Sequence, residues 1–309
     1  YACRFYHQNC GASFAATGIV RRAETPQQQQ KFDELLAQQA LSPDMLHRHD
    51  GTQDLQIKLG GTLRPVPAIA AVTKHTKIIA GTVANLLRED GNWVARNAAG
   101  QVIARADIAI LANGAKQVLG LELPPMRLLR GQLSIASNIL HTLSVPVIGK
   151  TYAASLAEDQ LVFGATHDLV NAVGDTNVCA EDHHRNRQGL MGVLPDLARQ
   201  IDVAQLTGRT SYRAASPDLQ PMAGPVADAK ACAAWSKQYW GKLSSYNDAP
   251  MQPGLYMVNG LGSRGLTLAP LLAEAVILMI TGGPSPLEHD AATALHPARF
   301  AARAARRNA

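Results

Sequence analysis

Between Gly254 and Ala273 the chain reads GLYMVNGLGSRGLTLAPLLA: an apolar strand, a turn rich in glycine, then an apolar helix. No other stretch constrains the fold as much, because a strand that feeds a helix through so short a turn is a unit of α/β architecture. The first N–H groups of such a helix lack intrahelical partners and lie at the positive end of its dipole. They hold an anion or the electron-rich edge of a ring. Gly260, Gly262 and Gly265 carry no Cβ and let a flat ligand approach the backbone. The same pattern also occurs as plain architecture with no ligand at all.

A length of 309 residues with 47% hydrophobic content provides for a sizeable core in one large or two interleaved domains. Lys and Arg number 29 against 24 Asp and Glu, a net charge of +5. Part of the excess lies in the tail ARFAARAARRNA, where Arg299, Arg303, Arg306 and Arg307 follow Pro297 on a helix-compatible stretch without acids. Two readings stand for it, a solvated terminal helix or a contact to phosphates such as those of RNA.

Cys3, Cys10, Cys179 and Cys232 form no C-x-x-C pair, which points to reduced thiols in a cytoplasmic protein and to no zinc site. His183 and His184 are adjacent, so on a helix they diverge. A solvated polar face is expected there, and no metal is assigned. The apolar run from Leu266 to Ile280 falls short of the roughly 20 residues of a bilayer span and contains Glu274; a buried core helix, and no membrane, is expected. With Tyr1 in place of an initiator methionine and no signal-like apolar core, the chain is expected to be a fragment of a longer protein.

Phe14 to Val20 is expected to be a strand, and Pro26 to Ala40 a helix with Phe32, Leu35 and Leu36 on one face. Arg64 to Val72 suits a helix whose first turn holds Pro65 and Pro67. From Lys77 the pattern changes to strands and turns, with a Gly91-Asn92 turn, which predicts a small antiparallel meander. Ile108 to Leu111 is a short apolar run stopped by Asn113-Gly114 and reads as a fully buried parallel strand whose C-terminal end meets a ligand crevice. RGQLSIAS, VPVIGKTYAAS and QLVFGATHD read as strands of a larger sheet, and Glu181 to Leu194 as a helix. Thr210 to Pro225 reads as a loop-rich stretch around Tyr212 and Arg213. Leu255 to Val258 is the closing strand, and a helix begins at Leu266.

In this order ILANGA, RGQLS, LVFGATHD, GRTSYRAASPDLQPMAGP and LYMVNGLGSRGLTLAPLLAE resemble the D-amino-acid-oxidase-like FAD oxidoreductases, and among them the branch that modifies tRNA wobble uridines. GSRGL followed by AP and AE is the most specific element. ALHPARFAARAARR resembles that branch's ending, with His296 in place of an asparagine. The resemblance implies an α/β (α+β) chain with a D-amino-acid-oxidase-like FAD-binding fold, incomplete at its N-terminus. An interleaved substrate domain on a mixed or antiparallel sheet accompanies it. The implied FAD-binding parts are 1–18, 60–125 and 209–309, and the substrate domain 19–59 and 126–208. The G-x-G-x-x-G turn that holds the FAD pyrophosphate in that family has no counterpart here; Gly11 to Gly18 (GASFAATG) lacks the spacing.

By resemblance, Gly260, Gly262, Ser263, Arg264, Gly265 and Leu266 present backbone N–H groups to the pyrimidine edge of the flavin, where negative charge collects on reduction. Ala112, Asn113 and Gly114 line the cofactor crevice, although Asn113-Gly114 is equally an ordinary turn. Val83 matches a position on the adenine side. Arg213 and Arg264 match arginines that grip a substrate carboxylate, and Tyr152 a tyrosine close to it. Against the substrate role, Arg213 could simply pair with Asp218 or cap a loop.

The implied activity is FAD-dependent oxidation of a secondary amine. It removes the carboxymethyl group of 5-carboxymethylaminomethyl-(2-thio)uridine in tRNA to leave 5-aminomethyl-(2-thio)uridine and glyoxylate, with a methyltransferase domain upstream in the whole protein. Two alternatives accompany it: an oxidase of free glycine, sarcosine or D-amino acids on the same fold, and a non-catalytic RNA-binding remnant without the pyrophosphate loop.

Overall fold

The computed structural model describes residues 1–116, 118–139, 143–238, 246 and 248–307. Two compact units form, one chiefly from Cys3–His75 and Arg130–Tyr212, the other from Thr76–Leu129 and Arg213–Ala309. The segments up to His75 lie in the first of these units. Phe14–Ala15 pairs antiparallel with Thr62–Leu63, and the Cys10 thiol reaches the Ala68 carbonyl on the helix Pro65–Thr73.

The first unit is built on a nine-stranded sheet. Its strands include Arg127–Ala136, Gln160–Gly164 and Tyr152–Ala157, joined by antiparallel pairings, and Val147–Ile148, which pairs in parallel with Ile19–Arg21. The sheet is therefore mixed. Leu161 and Phe163 point inward from it and meet Leu190 on the helix Ala180–Val193, all fully buried. Proline-started helices occur where expected, at Pro26–Ala37 and Pro65–Thr73, and Thr25 caps the first by accepting the Gln28 amide at 3.2 Å.

In the second unit Met222–Ala227, Met251–Asn259 and Ala109–Leu111 form a three-stranded sheet in that order. The last two run parallel, with Leu255 opposite Ala109 and Met257 opposite Leu111. The predicted meander is present as Asn85–Glu89, Asn92–Arg96 and Val102–Ala106. Its Trp93 buries against Leu255 and Met257 and donates from Nε1 to the Pro253 carbonyl at 3.0 Å.

Three expectations change here. Lys77 to Ala84 forms no strand. Ala109–Leu111 is an edge strand, so Ile110 is 45% exposed where a fully buried strand was expected. Thr210 to Pro225 is mostly strand, in Thr207–Ala215 and Met222–Ala227, with only a short loop between them. Alanine and serine there gave no apolar alternation for the eye to follow.

The helix Gly265–Thr281 is long and apolar enough, with the turn before it, to match a membrane span in length and composition. It packs one face, Leu272 and Val276, on Ala223 of the sheet, while Leu266 and Ile277 stay exposed. A buried core helix was expected; the structure shows burial on one side. Ala298–Arg307 is helical as predicted, and the side chains of Arg306 and Arg307 lie outside the described residues.

Candidate active site at the ends of the parallel strands

Strands Ala109–Leu111 and Met251–Asn259 end side by side, and one buried amide joins them. Asn259, 4% exposed, donates both Nδ2 hydrogens, to Asn113 Oδ1 and to the Gly114 carbonyl, each at 3.0 Å. Its Oδ1 accepts the Gly260 amide at 2.8 Å. The carboxyl ends of parallel strands are where open α/β sheets place ligands, and the Asn259 amide fixes the backbone at that edge. Asn113 and Gly114 thus also form the turn read in the sequence, with Asn113 Nδ2 donating to the Lys116 carbonyl at 2.5 Å.

Past Asn259 the chain turns on Gly260 and Gly262, at φ 68° and 55°. Those are left-handed values that cost a residue with a Cβ about 1–2 kcal/mol. A short 3₁₀ turn, Gly262–Arg264, leads into the helix at Gly265, and neither start is capped by a side chain. Ser263, Arg264 and Leu266 lie on the exposed side. A helix start entered through glycines, at the positive end of the helix dipole, suits a flat, electron-rich edge.

The loop from Ser216 to Pro221 packs against this turn. Ala215 bridges to Leu261, and Arg264 Nη2 donates to the Leu219 carbonyl at 2.6 Å. One arm of the Arg264 fork is therefore engaged by the protein itself. Leu219 is held at φ 61°, a left-handed value for a residue with a branched side chain. Ser216 Oγ lies 2.9 Å from Asp218 Oδ1 and 2.5 Å from the Gln220 carbonyl, its single proton serving both.

Arg213 stands three residues before Ser216, half-buried on its strand, and makes no hydrogen bond or ion pair among the described residues. The pairing with Asp218 weighed in the sequence does not form. Arg299 and Arg303 occupy that carboxylate instead. Burial alone would raise the Asp218 pKa, but hydrogen bonds from Arg299, Arg303 and Ser216 outweigh it and hold the carboxyl far below the usual range.

Ala112 is exposed just past the strand end, and Val83 lies exposed on the irregular segment before the meander. Tyr152 belongs to the first unit, where it begins the strand Tyr152–Ala157 opposite Gly164 and Ile148. Arg213, Arg264, the glycine turn and Asn113-Gly114 are all placed in the second unit. Sequence reasoning missed Asn259 and Ser216, and read Arg299 as solvated or phosphate-bound. An Asn-Gly step ending an apolar strand was a signal for the first, and the four-residue spacing of Arg299 and Arg303 put them on one helix face.

Over 234 residues the chain is 37% identical to the tRNA 5-methylaminomethyl-2-thiouridine biosynthesis bifunctional protein MnmC of Paraburkholderia phytofirmans, a stretch that covers 74% of this chain and 35% of that protein. The protein of the same name in Burkholderia thailandensis is 36% identical over 258 residues, 80% of this chain and 39% of the relative. The chain thus spans little more than a third of the length of these relatives. Among solved structures, iminodiacetate oxidase from Chelativorans sp. BNC1 superposes with a TM-score of 0.71 at 19% identity, covering 96% of this chain and 82% of that one. Glycine oxidase from Geobacillus kaustophilus gives a TM-score of 0.70 at 14% identity, covering 96% and 80%. These two likenesses establish the fold alone. Residues 4–278 match the family described as FAD dependent oxidoreductase, and the chain belongs to that family of enzymes, whose cofactor is FAD.

Proposed function

We propose that this chain is the oxidase part of a tRNA-modifying enzyme of the cytoplasm. In this reading it removes the carboxymethyl group of 5-carboxymethylaminomethyl-(2-thio)uridine to give 5-aminomethyl-(2-thio)uridine and glyoxylate. The observation that carries the reading is Arg213: a half-buried guanidinium without a partner among the described residues, in the same unit as the glycine turn, while the nearest acid in sequence is taken by two other arginines. The names of the 36–37% identical relatives supply the tRNA part.

The residues present fit the ring end of FAD, since the glycine turn that opens the helix at Gly265 offers the positive end of the helix dipole to the pyrimidine edge, where negative charge collects. They offer the pyrophosphate no glycine-rich loop among the described residues, and none is assigned to it. FAD bound there would supply a hydride acceptor for the oxidation of the methylene carbon between the amine nitrogen and the carboxylate. Arg213 would grip that carboxylate through two N–H donors and so hold the C–H in place. The C–N bond becomes an imine as the nitrogen proton leaves to solvent. Water then adds, the C–N bond breaks, and glyoxylate departs from the primary amine.

The test is turnover on tRNA that carries the carboxymethylaminomethyl group, read as glyoxylate release. Arg213→Ala and Arg213→Lys should each lose about a hundredfold or more in kcat/KM, because a lysine keeps the charge but not the fork. Parental turnover in Arg213→Ala sinks the carboxylate clamp. Peroxide release from free glycine, sarcosine or a D-amino acid, with none from tRNA, decides for the small-amine oxidase, a reading that the likeness to glycine oxidase keeps open. A purified protein with no flavin absorbance and no turnover decides for the RNA-binding remnant.

A further inference from the structure

The tail that the sequence offered as an RNA contact turns its first arginine inward. Arg299 is 1% exposed, the largest fully buried side chain among the described residues. Its guanidinium donates to Asp218 from Nε and Nη2, to the Gln220 carbonyl at 2.8 Å and the Pro221 carbonyl at 3.2 Å from Nη2, and to the Leu295 and His296 carbonyls from Nη1. The aromatic ring of Phe300 lies 4.3 Å from its guanidinium carbon. Four of these six acceptor oxygens, on Asp218, Gln220 and Pro221, belong to the loop Ser216–Pro221 and two, on Leu295 and His296, to the segment that leads into the tail helix, so the side chain staples one to the other.

The loop so held and the strand end before it lie against the glycine turn. Arg264 bonds the Leu219 carbonyl, Ala215 bridges to Leu261, and a Cβ on Gly260 would come 3.2 Å from the Ser216 amide. Arg213 lies two residues before Ala215 on the same strand. We propose that Arg299 is a positioning residue for the reaction: through Asp218 and the loop Ser216–Pro221 it sets the backbone of the turn Gly260–Leu266 against the flavin edge and fixes the strand end that carries Arg213. The flavin half of this inference rests on the assignment of that turn given above.

The geometry explains why an arginine stands here. A lysine has one nitrogen and could satisfy neither the two carboxylate oxygens at once nor the four carbonyls around them, whereas the planar fork reaches both. His296 supports the arrangement by accepting the Ala298 amide on Nδ1 at 3.1 Å, which starts the helix that delivers Arg299.

Hydrogen exchange in the FAD-free chain and FAD titration by fluorescence quenching test the inference together, on Arg299→Lys and on Asp218→Asn, two variants that keep the size of the side chain. Phe163→Leu, in the sheet of the first unit, serves as a variant that lowers stability without touching the staple. In both staple variants, amides of 260–266 should exchange at least tenfold faster together with those of 216–221, the FAD dissociation constant should rise about tenfold, and the flavin absorption band should shift. Phe163→Leu should do none of these at equal loss of melting temperature. Faster exchange in 216–221 with unchanged exchange in 260–266 overturns the coupling. Faster exchange in both, with parental FAD affinity and spectrum, leaves the staple standing and overturns its flavin role.

Discussion

Arg299 and Asp218 meet in a two-point ion pair, Nε to Oδ2 and Nη2 to Oδ1, each at 3.0 Å. Arg303 also donates to Oδ2, but its side chain is 50% exposed against 1% for Arg299. The two arginines therefore contribute unequally. A buried guanidinium stripped of its carboxylate has no water to replace it, whereas an exposed one returns to solvent.

Asp218→Ala is accordingly expected to cost about 3–5 kcal/mol of folding stability and Arg303→Ala less than about 1 kcal/mol. Urea denaturation midpoints check both. Because the penalty in Asp218→Ala is an unpaired buried charge, adding Arg299→Met to it should recover part of the loss. A double variant less stable than Asp218→Ala alone contradicts that account.

His296 gives the fold an acid-side weakness. Burial, and then the nearby Arg299 charge, push its pKa down from the ordinary 6.5 to about 4. As pH falls below 6.5 the unfolded chain takes up a proton that the folded chain refuses, so stability declines progressively until about pH 4. Above 6.5 both forms are neutral and the full stability is present. The gap amounts to roughly 3 kcal/mol. His296→Asn, which keeps an acceptor for the Ala298 amide without a titrating ring, should flatten the decline in melting temperature between pH 6.5 and 4. An unchanged slope would assign the acid sensitivity to other groups.

A second buried histidine was expected to lie on a solvated face. His183 is instead 4% exposed, with Nδ1 2.7 Å from Ser134 Oγ, and Asn186 Nδ2 donates to the same hydroxyl at 3.0 Å. Burial lowers its pKa, opposed by Asp182, and its Nε2 has no partner among the described residues. Ser134→Ala strands Nδ1 and one of the two Asn186 Nδ2 hydrogens, the other staying on the Gln132 carbonyl, and is expected to cost about 1–3 kcal/mol. Ser134→Thr, which restores the hydroxyl, tests whether the hydrogen bonds rather than volume account for the loss.

The sequence disclosed the parts of the fold with strong local periodicity. Helices begun by Pro26 and Pro65 and the strand-turn-helix around Gly260 follow from residues that are neighbours in the chain, and the turn expected at Gly91-Asn92 forms one residue earlier, at Asp90-Gly91, with Asn92 already in the strand. What it hid was set by distant partners. Arg299 lies 81 residues from Asp218, and Asn259 lies 146 from Asn113. A basic tail reads as solvated or RNA-bound until a carboxylate from elsewhere is brought to it. Ile110 reads as buried until its strand proves to be the edge of the sheet. His183 misled for the same reason, since the hydroxyl that buries it comes from a strand some fifty residues earlier.

Gly260 and Gly262 separate the cost of backbone conformation from that of close approach. Both have left-handed φ, so alanine at either should cost about 1 kcal/mol for conformation alone. At Gly262 the new Cβ would meet Ala215 Cβ at 3.5 Å, an ordinary contact. At Gly260 it would come 3.2 Å from the Ser216 amide nitrogen and 3.3 Å from Met222 Cε, and the backbone of the stapled loop has to give way. Gly260→Ala is therefore expected to lose about 1 kcal/mol more than Gly262→Ala, since overpacking adds to the conformational term. It should also weaken FAD binding by more than Gly262→Ala does, because the displacement falls on the turn itself. Paired unfolding curves and FAD titrations of the two variants give the comparison. Equal losses in both would mean that the loop yields freely and that the turn is not held by Ser216.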